Sequence, residues 1–140
     1  MALTAAAGNN AKVTLGATTV LGMGNWKMSG ITVDLLESTA FGDTAKQFIT
    51  GLIDYGTVTF GGVYDVSNAG GQSTLISAML NNSKIPNLRL FINSVSSWVP
   101  NVTGLSAAGV LITSVSIGQD KSGLGTIEFA GKYTGPVVFE

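Results

Sequence analysis

Eight Asp or Glu, seven Lys or Arg, no His and no Cys make up most of the reactive inventory of this 140-residue chain. Without His there is no usual general base, none of the commonest transition-metal ligand, and no charge switch near neutral pH. Without Cys there are no disulfides, thiolate nucleophiles or zinc–thiolate sites. Ser-His-Asp and Cys-His machinery is excluded. Asp34 and Glu37 are the only carboxylates within three residues of each other. On an extended strand, residues three apart point to opposite faces, so these two do not form an acid/base pair. A glycosidase pair would need carboxylates from distant parts of the chain. Asp-rich calcium loops and the Gly-x-x-x-x-Gly-Lys-Ser/Thr phosphate loop are missing. Gly22-Met-Gly24 and Gly123-Leu-Gly125 lack the third glycine and the helix of a dinucleotide loop, and read as turns. Asn81-Asn-Ser83 and Asn101-Val-Thr103 match the glycosylation triplet, which has meaning only in a secreted chain. The expectation is a protein that is not an enzyme and has no metal or cofactor.

Stacking is the other chemistry to weigh. Trp26, Phe60, Tyr64, Phe91, Trp98, Phe129 and Tyr133 could serve single-stranded nucleic acid only beside a basic groove. Seven Lys/Arg over 140 residues do not make one, so these aromatics read as core. Lys27, Lys84 and Arg89 read as solvated or as paired at an interface.

Charged residues are 11% of the chain, against about 25% in an average soluble domain. Net charge is −1 and mean hydropathy is +0.40, so no field gathers phosphates and part of the surface is not made for water. No stretch approaches about 18 uninterrupted apolar residues, so no membrane insertion is expected. Residues 1–10 lack the basic and long apolar regions of a signal peptide. Burial between subunits is the outlet that remains. The length suits a single domain, 1–140, which buries roughly 70% of its unfolded surface.

The elements that must position these residues are mostly strands. Nineteen Gly, only three Pro and β-branched residues throughout read as β structure with many turns. Strands are expected at Lys12–Leu15, Thr18–Leu21, Trp26–Met28 running on to Ile31–Leu36 past a bend at Ser29-Gly30, Thr57–Asp65, Leu88–Ile92, Val110–Ile117, Thr126–Tyr133 and Pro136–Phe139. In Thr57–Asp65, Val58, Phe60 and Tyr64 share one face. One helix is expected at about 72–82, where Leu75, Ile76, Met79 and Leu80 form a stripe between Gly70-Gly71 and Asn81-Asn82. The fold class is mainly β, a sandwich or part-barrel with this helix on one flank and a long extended loop at about 38–54.

Two features stand out along the chain. Thr57-Val-Thr-Phe-Gly-Gly-Val-Tyr64 aligns without a gap on Thr126-Ile-Glu-Phe-Ala-Gly-Lys-Tyr133, matching Val58/Ile127, Phe60/Phe129, Gly62/Gly131 and Tyr64/Tyr133. Convergence on one core and ancestral duplication both account for it, and either makes the strands equivalent in the sheets. The second is Ser38–Asp54, too long for an ordinary loop and, with Phe41, Phe48, Ile49, Leu52 and Ile53, too apolar for disorder. It is either a short helix, Thr44–Phe48, folded on its own domain, or an arm that buries these residues in another subunit.

The stretch from Ile31 to Asp65 resembles the tail tube (major tail) proteins of long, non-contractile-tailed bacteriophages. The matching elements are a strand running into Ser38-Thr-Ala-Phe-Gly-Asp43, then Lys46-Gln-Phe-Ile-x-Gly51-Leu-x-Asp54, then Gly56-x-Val-x-Phe-x-Gly62-x-Tyr-Asp65. A Gln72-led helix with Leu75 and Leu80 inward, the strand Leu88–Ile92 and the closing Gly-x-Ile-Glu-Phe-x-Gly-Lys132 follow in order. Trp98–Ala108 matches poorly. The resemblance implies a subunit of stacked, hexameric rings whose joined β-barrel lines a channel for double-stranded DNA, passed without specific binding. It implies a loop, here Phe41, Asp43, Lys46, Phe48, Ile49 and Leu52, that contacts neighbouring subunits and the adjacent ring. Tip or baseplate and terminator proteins would be its other partners, the virion its location, and the host cytoplasm its place of assembly. A conduit should not hold its cargo, so its lumen is expected to be neutral to acidic, with Asp34, Glu37 and Glu128 as candidate lumen-facing charges. The alternatives are an inner tube protein of a contractile tail or secretion system, and a stand-alone ligand-binding β-barrel.

Overall fold

The computed structural model describes residues 11–20, 22–65, 67, 71–101 and 108–140. The strands are β1 Lys12–Leu15, β2 Thr18–Thr19, β3 Met23–Ser29, β4 Thr32–Glu37, β5 Phe48–Asp54, β6 Thr57–Val63, β7 Leu88–Phe91, β8 Ser97–Pro100, β9 Gly109–Gly118, β10 Thr126–Thr134 and β11 Val137–Phe139, with one helix, α1 Gln72–Leu80. They form a five-stranded sheet β11-β8-β7-β1-β2, a four-stranded sheet β3-β6-β10-β9 and a separate pair β4-β5. All strand pairings are antiparallel. The sandwich with one flanking helix is the expected fold class.

The core lies between the two larger sheets. Alternation places Val58 and Phe60 of β6, and Ile127, Phe129 and Tyr133 of β10, on the buried side. Val13, Leu15, Leu88 and Leu90 meet them from β1 and β7. Trp26 of β3 donates its indole N–H to the Phe91 carbonyl at 3.0 Å, joining the two sheets at one edge.

The repeated segments are immediate neighbours. In the β6–β10 register Phe60 lies opposite Phe129, with ring centroids 5.1 Å apart, while Val58 faces Gly131 and Gly62 faces Ile127. Each glycine of one copy therefore sits across from the branched residue of the other. The expected equivalence of the two strands holds as a local two-fold arrangement about the phenylalanine pair.

Helix α1 buries Gln72 and Leu75, and the Gln72 side chain bridges two backbone groups, donating to Val63 O and accepting from Asp65 N, each at 2.9 Å. It exits through Asn82 in the left-handed region (φ 55°), with Asn82 N–H on Met79 O and Ser83 N–H on Ala78 O. This pattern closes a helix end. Leu80, expected inward with Leu75, is 71% exposed. Five helical positions rotate a side chain by about 140°, so both cannot face one core.

Three further expectations are corrected. Gly30 (φ +76°) breaks the long strand into β3 and β4, which belong to different sheets. Gly24 is a strand residue of β3, beside a bulge between Met23 and Asn25, and not part of a turn. The segment 38–54 is not loop throughout, because Phe48–Asp54 is strand β5 and no helix forms over 44–48. Ile49, Thr50 and Ile53 favour extended backbone, and β4 supplies the partner edge. The poorly matched 98–108 region begins as β8, between β7 and β11, and its residues 102–107 lie outside the described residues.

Gly62 shows how closely the sheet is built. A Cβ there would lie 1.9 Å from Gly22 O and 2.7 Å from Gly24 N, both backbone atoms that cannot swing aside. Gly62→Ala should therefore lower unfolding stability by about 3 kcal/mol in urea titration, the upper part of the usual overpacking range. Gly118→Ala, whose Cβ would meet only Thr126 Oγ1 at 3.5 Å, should cost well under half of that.

Candidate assembly interface

Ile31–Asp54 forms an arm. Among the described residues its two strands pair only with each other, and residues 31–54 are all exposed apart from Gly51, which is half-buried. Two-stranded hairpins are marginal in water by themselves. The register pairs Val33 with Ile53, Leu35 with Thr50, Leu36 with Ile49 and Glu37 with Phe48, shifting between Val33 and Leu35. Gly51 fits the shift: a Cβ there would approach the Asp34 side chain to 3.2 Å. Cross-strand partners share a face, so Val33, Leu35, Phe48 and Ile53 lie on one side, and Leu36 and Ile49 on the other. The arm is apolar on both sides. Leu35 is 65% exposed, Leu52 85%, and Phe41, at the tip, wholly so.

The tip is built by short-range hydrogen bonds. Asp43 Oδ2 accepts from Ala40 N at 2.7 Å, Thr39 Oγ1 accepts from Gln47 N at 3.0 Å, and Ser38 N donates to Gln47 O at 2.8 Å. Lys46 and Glu37 stand 3.9 Å apart across the hairpin, both well exposed.

The root is narrower. Gly56 (φ +80°) packs against Gly30, and a Cβ on it would lie 2.1 Å from Ser29 O. Its carbonyl accepts from Tyr133 N at 3.1 Å, and its N–H donates to Asp54 Oδ1 at 2.8 Å. The same carboxylate oxygen takes a charge-assisted hydrogen bond from Lys132 of β10. That bond, with the Gly56 N–H behind it, holds the Asp54 carboxyl below its ordinary value of 3.8.

The outer face of the four-stranded sheet is the second open surface. Its cross-strand rows read Ser29–Thr57–Lys132–Leu111, Lys27–Thr59–Ala130–Ser114 and Asn25–Gly61–Glu128–Ser116. Small hydroxyl, amide and glycine residues dominate, and a shallow trough crosses it over Gly61 and Gly118 beside Glu128. Its outer edges are β3 and β9, and the ten residues of β9, Gly109–Gly118, carry no charge and no proline. Natural sheet edges are usually blunted by both.

The structure gathers Phe41, Asp43, Lys46, Phe48, Ile49 and Leu52 on the one arm. It does not bring the three candidate lumen charges together. Asp34 and Glu37 are on β4 of the arm, and Glu128 is on the outer face of β10. Val33, Leu35 and Leu36 are arm residues that the sequence reading did not single out. Their signal was the run Ile31-Thr-Val-Asp-Leu-Leu-Glu37, which lacks the clean alternation of a half-buried strand.

A hydroxyl–carboxylate hydrogen bond does occur, from Ser67 Oγ to Asp65 Oδ1 at 2.7 Å. The same oxygen accepts Ser67 N at 2.9 Å, so this closes a turn and brings no second catalytic group. Among the described residues, no group of three or more Asp or Glu is placed to hold a metal ion, and no helix is long and apolar enough to cross a membrane.

No protein-family model and no curated protein matches the chain. Solved structures do. A chain in the virion of a native gene transfer agent particle superposes with a TM-score of 0.73 at 13% identity, covering 97% of this chain and 99% of that one. A chain in the tail of an empty gene transfer agent particle, refined helically with C6 symmetry, gives the same TM-score, identity and coverage. A chain from the sheath/tube terminator of an extracellular contractile injection system gives 0.69 at 11% identity, covering 100% of this chain and 99% of that one. The chain shares the fold of proteins found in the gene transfer agent tail and in contractile injection systems.

The Asp54–Lys132 bond sets an acid dependence. A carboxyl held low in the folded state stabilises above its unfolded value and loses that contribution as pH falls through its folded one. Stability measured by urea titration should be level down to about pH 5 and decline below pH 4, and Asp54→Asn should flatten part of that decline. An unchanged acid limb in Asp54→Asn would show that the root bond carries no weight.

Proposed function

We propose that this chain is the structural subunit of a tail tube, assembling into rings that stack head to tail around a channel. The observation that carries the reading is the arm, a hairpin apolar on both sides that forms a sheet of its own among the described residues. An arm of one copy seated on the body of another is a heterologous contact, the kind that builds closed rings and, between rings, an open filament. A six-subunit ring is supported by the C6 tail that contains a chain of the same fold. The uncharged β9 edge of one copy and the β3 edge of the next are the surfaces that would join the four-stranded sheets into one barrel.

In that barrel the outer sheet face lines the channel. Lys132 is tied to Asp54, which leaves Lys27 and Glu128 in adjacent rows among hydroxyls and glycines. Such a wall is near neutral and gives double-stranded DNA little to bind. The candidate lumen charge narrows to Glu128, and Asp34 and Glu37 go with the arm to subunit contacts. The subunit acts passively, without a catalytic step, in the virion of a long non-contractile tail assembled in the host cytoplasm, capped by tip or baseplate and terminator proteins.

An inner tube of a contractile system is the second reading, favoured by the likeness to contractile injection system chains. It has the same subunit and ring and adds a sheath outside. A ligand-binding barrel is disfavoured, since Phe60, Phe129, Leu75, Leu88 and Leu90 fill the space between the sheets at 0% exposure.

Electron microscopy of negatively stained protein, beside size-exclusion chromatography, tests the proposal. Wild-type protein should form rings or tubes with a central channel. Phe48→Asp, on an exposed arm position, should change unfolding stability by no more than about 0.5 kcal/mol yet abolish assembly. A Phe48→Asp variant that polymerises like wild type, or a wild-type monomer holding a small molecule, would overturn the reading.

A further inference from the structure

The arm leaves the sandwich between β3 and β6, at the end of the four-stranded sheet marked by Ser29, Thr57 and Lys132. At that same end, on the opposite lateral edge, β9 begins at Gly109 beside Thr134. There Ile85 bridges to Val110, the Lys84 stem lies over Gly109, and an open groove runs between α1 and residues 83–87. Leu15, Ala78, Ile85 and Pro86 give this groove its apolar wall, and Lys84 lies on its rim. Strand directions alternate across the sheet, so β3 of one copy beside β9 of the next is an antiparallel pair. Joined that way, the arm root of one copy and the groove of its neighbour fall at the same level.

Charge agrees with this match. Residues 31–54 carry four carboxylates, Asp34, Glu37, Asp43 and Asp54, against Lys46, while the rest of the chain carries six Lys/Arg and four carboxylates. The arm is net acidic and the body net basic, the complementarity expected when the arm of one copy meets the body of another. The six residues of β4 span about 20 Å before the tip, which is ample to cross a seam between adjacent strands.

We propose that the arm docks sideways, on the neighbouring copy of its own ring, with Phe41 in the groove between α1 and 83–87 and Asp43 towards Lys84. This rests on the ring-forming reading and narrows what the family resemblance implies, a loop that contacts both neighbouring subunits and the adjacent ring. The ring is then held at each seam by two contacts, strand edge to strand edge and arm to groove.

The absence of native Cys allows a direct test by pairwise cross-linking. Phe41→Cys combined with Ala78→Cys, assembled and then oxidised, should give a denaturing-gel ladder that stops at the subunit number of one ring, because lateral bonds close on themselves. Phe41→Cys with Gly123→Cys, in the turn at the far end of the same sheet, should not cross-link. A ladder from the second pair, or one from the first pair running past the ring number, places the arm on the next ring and overturns the proposal. Assemblies that form but cross-link through neither pair refute the docking and leave the tube reading intact. Failure of the wild-type chain to assemble removes both.

Discussion

The pairing of β6 with β10 is the constraint on which the other elements depend. Its register stacks Phe60 on Phe129 inside the sandwich, and each strand carries one edge of the sheet, β3 on β6 and β9 on β10. A slip of one residue would send the ring of the slipped strand to the outer face and part the pair. It would also move the arm, because Gly56 O is held by Tyr133 N and Asp54 by Lys132, both from β10. The core and the placement of the arm are thus set by a single strand pair. Glycines opposite Val58 and Ile127 let a neighbouring backbone come close without forcing the phenylalanines apart.

The outer surface follows two different rules. On the four-stranded sheet, alternation holds between the bulges and small polar side chains dominate the outer face. On the arm, alternation fails and apolar residues face out on both sides. A solvated hairpin gains nothing from such residues and pays the entropy of ordering them. The same residues make sense as half of an interface whose other half is another molecule. Low total charge goes with this, since a chain that exposes so much apolar surface carries few long solvated side chains to cover it.

The arm is held where it can be used. Two left-handed glycines, Gly30 and Gly56, let the chain leave and re-enter the sandwich at one narrow point, and the Asp54–Lys132 bond fixes that point to β10. A docking element already ordered at its root loses less freedom on binding. The start of the uncharged β9 edge and the groove beside it lie at the same end of the sheet as the arm root, so in the proposed ring seam and arm contacts would form together.

Composition alone removed particular chemistries. A chain without His or Cys cannot build Ser-His-Asp, Cys-His or zinc–thiolate sites wherever it folds. Alternation determined the core strands, because the side-chain period of two is a local property, and Val58, Phe60, Ile127 and Phe129 show it without reference to partners. The helix was legible for the same reason, in its spacing of Leu75, Ile76 and Met79. Only the tertiary structure decided that β5 is a strand, since Phe48–Asp54 shows no alternation and becomes extended by pairing with β4. It also decided that Leu80 faces out, that the repeated segments lie side by side, and that Glu128 is apart from Asp34 and Glu37. Those are facts about which strand finds which edge, and long-range pairing leaves no periodic trace in a single chain.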